Sequence, residues 1–140
     1  MAQLPTIADI HQEMESQHFD AARTLCQRLL RSDAKNGDAL GLAALLETQR
    51  GDDAKAVEWF DKAIKQLPRR WDLYHNVGMI LRRMGRFENA VLRLRKAVLI
   101  NPAAGEAHLQ LGLALGEQGE QESSIASLER AIECLPQHGF

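Results

Sequence analysis

Asn76, Arg82 and Arg83 are the residues of this chain whose chemistry best suits holding another molecule. A carboxamide donates and accepts at once, so Asn76 can make two hydrogen bonds to an extended peptide backbone. A guanidinium at position 82 or 83 can grip a carboxylate through a forked pair of bonds. The same arginines would also suit the C-terminal end of a helix, where cations meet the negative end of its dipole. Catalytic chemistry finds little to work with. His11, His18, His75, His108 and His138 show no HxxxH spacing, and the cysteines form no paired motif, so neither a metal nor a cofactor is expected. His75 is a lone histidine without the acid and nucleophile that a catalytic group needs beside it. Asp52 and Asp53 fall where acids favour the start of a helix. No glycine-rich loop suited to cradling a phosphate is present, and the expected answer to whether the chain is an enzyme is no.

These residues sit on a comb. Ala22, Ala56, Ala90 and Ser124 are 34 residues apart, as are Pro68, Pro102 and Pro136, and as are Gly51, Gly85 and Gly119. A fixed period of this length marks stacked supersecondary units. A glycine a few residues before each small residue can take the left-handed conformation that ends one helix and turns the chain into the next. Leu40, Tyr74 and His108 form a further column, and Ala44, Gly78 and Gly112 another, placing a larger group beside a small one on one helical face. Phe60, Leu94 and Leu128 pair with Ala63, Ala97 and Ala131 at helical spacing. The pattern predicts helices near residues 6–16, 19–32, 37–50, 53–66, 71–84, 87–100, 105–118 and 121–134, and no strand.

The run Trp71-Asp-Leu-Tyr74-His-Asn-Val77-Gly78, followed by Gly85-Arg-Phe87, Ala90, Leu94, Ala97 and Asn101-Pro102, resembles a tetratricopeptide repeat in nearly every signature column. The resemblance covers essentially the whole chain. It implies an all-α fold, a right-handed α-solenoid of helix-turn-helix repeats, with one domain over 1–140 and repeats near 3–36, 37–70, 71–104 and 105–138. The first repeat is degenerate. Gln17 stands in place of the turn glycine, Ala34 in place of the closing proline, and Ile7, Ile10 and Met14 fit only if the first helix slips by one residue. His108 occupies a column usually aromatic or Leu and is expected to be a packed core histidine. Glu47 takes the apolar column of Leu81 and Leu115 and is expected to snorkel or to pair with a basic residue such as Arg28.

The resemblance also implies a concave surface lined by the first helix of each repeat. Its groove-facing columns fall on Asp38, Gly41, Leu42, Leu45, Thr48 and Gln49, then Asp72, His75, Asn76, Met79, Arg82 and Arg83, then Glu106, Leu109, Gln110, Leu113 and Glu117. The peptide-binding groove is expected to use Leu45, Gln49, Asp72, His75, Asn76, Met79, Arg82, Arg83, Gln110 and Leu113. Two specialisations of the family fit poorly. A carboxylate clamp for chaperone tails needs Lys and Asn where this chain has Gly41 and Leu45, and Lys and Arg where it has Glu106 and Gln110. An asparagine ladder would need Asn in place of Leu42 and Gln110.

Composition agrees with a small helical array: 140 residues, 45% hydrophobic and 5% aromatic, with a net charge of -2. No stretch approaches the roughly 20 apolar residues of a membrane span, and the N-terminus lacks the basic start of a signal peptide, so cytoplasmic residence is the default. Cys26 and Cys134 lie in the first and last repeats and are expected to be reduced core thiols. Residues 69–104 carry eight basic groups against two acidic ones, whereas residues 105–140 carry six acidic groups against one basic. Such a pair of blocks can steer a partner of mixed charge or another copy of the chain. Nucleic acid is not expected, because the protein is acidic overall and its basic block lacks interleaved aromatics.

The leading expectation is a non-catalytic scaffold whose groove holds a peptide of some acidic character. Two alternatives stand beside it. One is the substrate-presenting or dimerising front part of a larger enzyme, since bacterial protein-modifying glycosyltransferases and sulfotransferases carry similar repeats ahead of a catalytic domain. The other is self-assembly, either through the charged blocks or through an uncovered edge of the last repeat formed by Ile125, Leu128, Ile132 and Leu135.

Overall fold

The structure, a computed structural model, describes residues 3–135, in which all regular structure is helical. Pro136, the closing proline of the last repeat, and His138 lie outside the described residues. The chain forms two compact units that meet in sequence between Pro68 and Arg69. The N-terminal unit holds α1 (Ile7–Glu15), α2 (Phe19–Ser32), α3 (Gly37–Arg50) and α4 (Asp53–Gln66). The C-terminal unit holds α5 (Trp71–Arg83), α6 (Phe87–Ile100), α7 (Gly105–Glu117) and α8 (Gln121–Cys134).

Local chemistry explains where these helices begin and end. Thr6 and Asp9 form a reciprocal capping box at the start of α1. Asn36 accepts from the Ala39 amide to cap α3, and Asp52 accepts from the Lys55 amide to cap α4. At the other ends, Gly51, Gly85 and Gly119 adopt φ values of 91°, 79° and 88°. Gln17 takes the same left-handed role at φ 62°. All four turns close alike: the amides of His18, Asp52, Arg86 and Glu120 donate to the carbonyls of Glu13, Glu47, Leu81 and Leu115. The 34-residue period is therefore a period of hydrogen bonds as well as of residue types.

Within each hairpin the small columns let the paired helices touch. A methyl group added at Gly78 would lie 2.5 Å from Leu94 Cγ, and one at Gly112 would lie 2.7 Å from Leu128 Cγ. Ala22, Ala56 and Ala90 are fully buried, and Ser124 fits the same column by donating its hydroxyl to the Gly112 carbonyl at 2.6 Å. The core of the N-terminal unit gathers Ile10, Ala22, Cys26, Leu29, Ala39, Leu42, Ala43 and Leu46, with Ile7 and Met14 packed against it. That accommodates the irregular first repeat.

Two expectations are corrected. Arg28 does not meet Glu47; it donates to the Gln3 carbonyl at 3.1 Å, and the nearest cation to Glu47 is Arg50 at 4.0 Å, one helical turn away. Cys134 is only half-buried and lies 3.7 Å from the Pro102 carbonyl, so it is not a core thiol. Cys26 is one: it donates to the Ala39 carbonyl at 3.2 Å, and burial pushes its thiol up to about 11. His108 is buried as expected, with Nε2 2.8 Å from the Pro102 carbonyl; that contact requires the tautomer protonated at Nε2.

Candidate functional site

The C-terminal unit brings α5 and α7 side by side, and long polar side chains bridge them. Arg82, in the last turn of α5, donates from Nε to the Gln110 carboxamide at 3.1 Å and from Nη1 to Glu117 at 2.5 Å. Gln110 and Glu117 lie seven residues apart on α7, two turns along one face, so a single guanidinium reaches both. Met79, one turn before Arg82 on α5 and 37% exposed, supplies an apolar neighbour. Together with Arg83, Gly85 and Phe87, these residues line an open cleft of about 560 Å³. The site can hold a carboxylate in a fork of donors beside an apolar surface.

Of the groove residues expected from the sequence, Met79, Arg82, Arg83 and Gln110 are brought together here. Asn76 and Leu113 are half-buried and lie outside the lining of the cleft. Asp72 is occupied by Arg70 through two bonds of 2.9 and 2.7 Å, and that pairing holds its carboxyl below the usual range. His75 is buried rather than presented to a partner. Its Nε2 has no hydrogen-bond partner among the described residues, and its ring sits 6.0 Å from that of Trp71. Burial pushes its pKa down, opposed by the charge of Glu106, a hydrogen bond to Asn76 and the charge of Asp72. Leu45 and Gln49 belong to the N-terminal unit, where both are exposed and Gln49 lines a shallow recess with Phe19 and Arg50.

Sequence reasoning missed Phe87 and Gly85 as cleft residues, because their columns read as turn and packing. It placed Glu117 on the groove face but missed that Glu117 itself fills the fork of Arg82. Among the described residues no three His, Cys, Asp or Glu side chains gather to hold a metal, and no helix is long and apolar enough to cross a membrane.

Helical hairpins closed by identical glycine-type turns and repeated every 34 residues define a helical-repeat protein. The chain belongs to the tetratricopeptide repeat family: models described as tetratricopeptide repeats match residues 11–70 and 105–137, and one described as a TPR repeat matches 78–119. Tetratricopeptide repeat protein 36 of Bos taurus is 30% identical over 105 residues, covering 72% of this chain and 56% of that protein. Its Homo sapiens counterpart is 28% identical over 127 residues, covering 88% and 65%. The chain thus spans well short of the full length of these relatives. Among solved structures, that of MamA matches with a TM-score of 0.86 at 18% identity, over 91% of this chain and 75% of that one. YrrB, described as a TPR protein with an unusual peptide-binding site, matches with a TM-score of 0.82 at 17% identity, over 93% and 67%. These likenesses establish the all-α tetratricopeptide fold.

Proposed function

We propose that this protein is a non-catalytic interaction scaffold whose α5–α7 cleft binds a peptide through one carboxylate and an adjacent apolar side chain. The observation that carries the reading is the Arg82 fork. Gln110 orients the guanidinium, and a carboxylate already sits against it, that of Glu117. An Asp or Glu side chain or a C-terminal carboxylate of a partner would take the place of Glu117, while Met79 and Phe87 receive the neighbouring apolar group. The resemblance of fold to YrrB supports a peptide as the occupant. Because Arg82 and Glu117 are each about one-third exposed, exchange of one carboxylate for another costs little.

Selection from a random peptide library against the intact protein tests this. Enriched peptides are expected to share a carboxylate next to an apolar residue. Binding should weaken about tenfold to a hundredfold in Arg82→Gln, the range for losing one charge-assisted bond. It should strengthen in Glu117→Gln, which frees the fork. Enriched peptides without a common carboxylate, or an Arg82→Gln protein that binds them unchanged, would overturn the assignment.

A further inference from the structure

The last helix of the C-terminal unit keeps an apolar stripe exposed that the repeat before it buries. The equivalent face of α6 packs against α7, which leaves Val91 7% exposed, Leu94 fully buried and Val98 half-buried. One period later, Ile125 and Ile132 of α8 are 56% and 70% exposed, with Leu135 beside them. Ile125 and Ile132 are seven residues apart, so they share one face and stand about 10 Å apart along the axis. Glu122 and Glu129, both exposed, border that face at the same spacing. A second stripe has matching spacing and opposite charge. Leu92 and Leu99 on the outward face of α6 are 62% and 72% exposed, and the exposed Arg95 and Lys96 lie between them along the helix.

Within a second copy of the chain, the α6 stripe suits the α8 edge better than any other exposed face. A second α8 would set four carboxylates along one apolar seam with no cation on that face. The α1 of another copy, which would continue the stack, turns outward Ala8, His11, Gln12 and Glu15, none of them a large apolar group. Leu45 and Met79 stand singly on α3 and α5, so among the described residues only Leu92 and Leu99 form another exposed apolar pair on one helix. We propose that the α8 edge of one copy receives the outward face of α6 of a second copy as an antiparallel helix pair, so that the chain self-assembles. Antiparallel packing sets Leu92 opposite Ile132 and Leu99 opposite Ile125, and the same register brings Arg95 opposite Glu129. A parallel pair would instead set Glu88 beside Glu122. The two faces differ, so the contact is heterologous: a joined pair still offers one free α6 face and one free α8 edge, and association continues past two copies into an open or ringed array.

Sedimentation equilibrium of the full chain at low salt tests this. The average mass should rise with concentration past that of two copies by about 1 mM chain, since one helix-on-helix contact lies at the weak end of specific interfaces. Two double variants separate the faces: Leu92→Gln with Leu99→Gln, and Ile125→Gln with Ile132→Gln. Both change only exposed side chains, so each should keep the helical circular dichroism of the native chain. Each alone should stay monomeric. Mixed, they should pair one to one and stop there, because the first supplies an intact α8 edge and the second an intact α6 face. Adding Glu129→Arg to the first should weaken that pairing about threefold to tenfold, an exposed ion pair turned into a like-charge contact, and adding Arg95→Glu to the second should recover it. A native chain monomeric throughout would overturn the proposal and leave the edge to a different protein. A mass that levels off at two copies, or assembly that persists in the Leu92 and Leu99 variant, would overturn it in favour of α8 pairing with α8. A mixture that stays monomeric, or a charge reversal without recovery, would overturn the assignment of the two faces.

Discussion

Two buried polar side chains depart from their columns, His75 where the neighbouring repeats carry Gly41 and Leu109 and Glu47 where the following repeats carry Leu81 and Leu115, and each leaves one atom without a hydrogen-bond partner among the described residues. For His75 the consequence is a dependence of stability on pH. Burial lowers its folded pKa, so between that value and the ordinary value of about 6.5 the unfolded chain binds more protons than the native one. Stability therefore rises with pH across this window. The contribution is fully present above the unfolded pKa and is lost as pH falls through the folded pKa. The carboxylates of Asp72 and Glu106 act in the opposite sense but are outweighed by desolvation. Urea unfolding near pH 7 and near pH 5 should show a larger fall in the midpoint for the native sequence than for His75→Leu, which copies Leu109 of the following repeat. An equal fall in both proteins would show that His75 does not titrate across the transition.

At the scale of the helical hairpin, the turn carries most of the information. The helix limits expected from the sequence agree with the observed ones to within about a residue, because a left-handed residue and a small residue punctuate every unit, and Pro68 and Pro102 follow the second and third. Gln17 tests that account. It makes the same turn hydrogen bonds as the three glycines but pays a left-handed penalty of about 1–2 kcal/mol, whereas glycine costs about 0.5–1 kcal/mol in unfolded-chain entropy. Gln17→Gly should therefore stabilise the protein by about 0.5–1 kcal/mol, and Gly85→Gln should destabilise it by a similar amount, both read from denaturant midpoints. Open space surrounds the position a Cβ would take at Gly85, so no steric clash confounds the comparison. The site was less legible than the turns. Columns place Arg82, Gln110 and Glu117 on neighbouring helices, but which acceptor a guanidinium takes depends on side-chain rotamers, which a repeat pattern does not encode. For the same reason Glu47 was visible as a departure from its column while its partner, Arg50 one helical turn away rather than Arg28, was not.

Across the whole molecule the repeats differ in how much they bury, and this orders their opening. In α1, nine residues long, Ile10 alone is buried, whereas α3 buries nine residues and α5 and α7 seven each. Burying one isoleucine contributes about 1.5–3 kcal/mol, and the half-buried Ile7 and Met14 add less. Ordering nine backbone positions costs roughly 1–2 kcal/mol each before hydrogen bonds are counted. The capping box of Thr6 and Asp9 and the bond from Arg28 to Gln3 help α1 without changing that balance. In a repeat array each unit is stabilised mainly by its nearest neighbours, so the least-buried helix opens without requiring the rest to open. Native-state hydrogen exchange should accordingly find the amides of α1 exchanging at least tenfold faster than those of α3, α5 and α7, a gap of about 1.4 kcal/mol or more in opening free energy. Protection as high in α1 as in α3 would mean that the degenerate repeat unfolds only with its neighbours, and that its few buried contacts are coupled to theirs more strongly than burial alone implies.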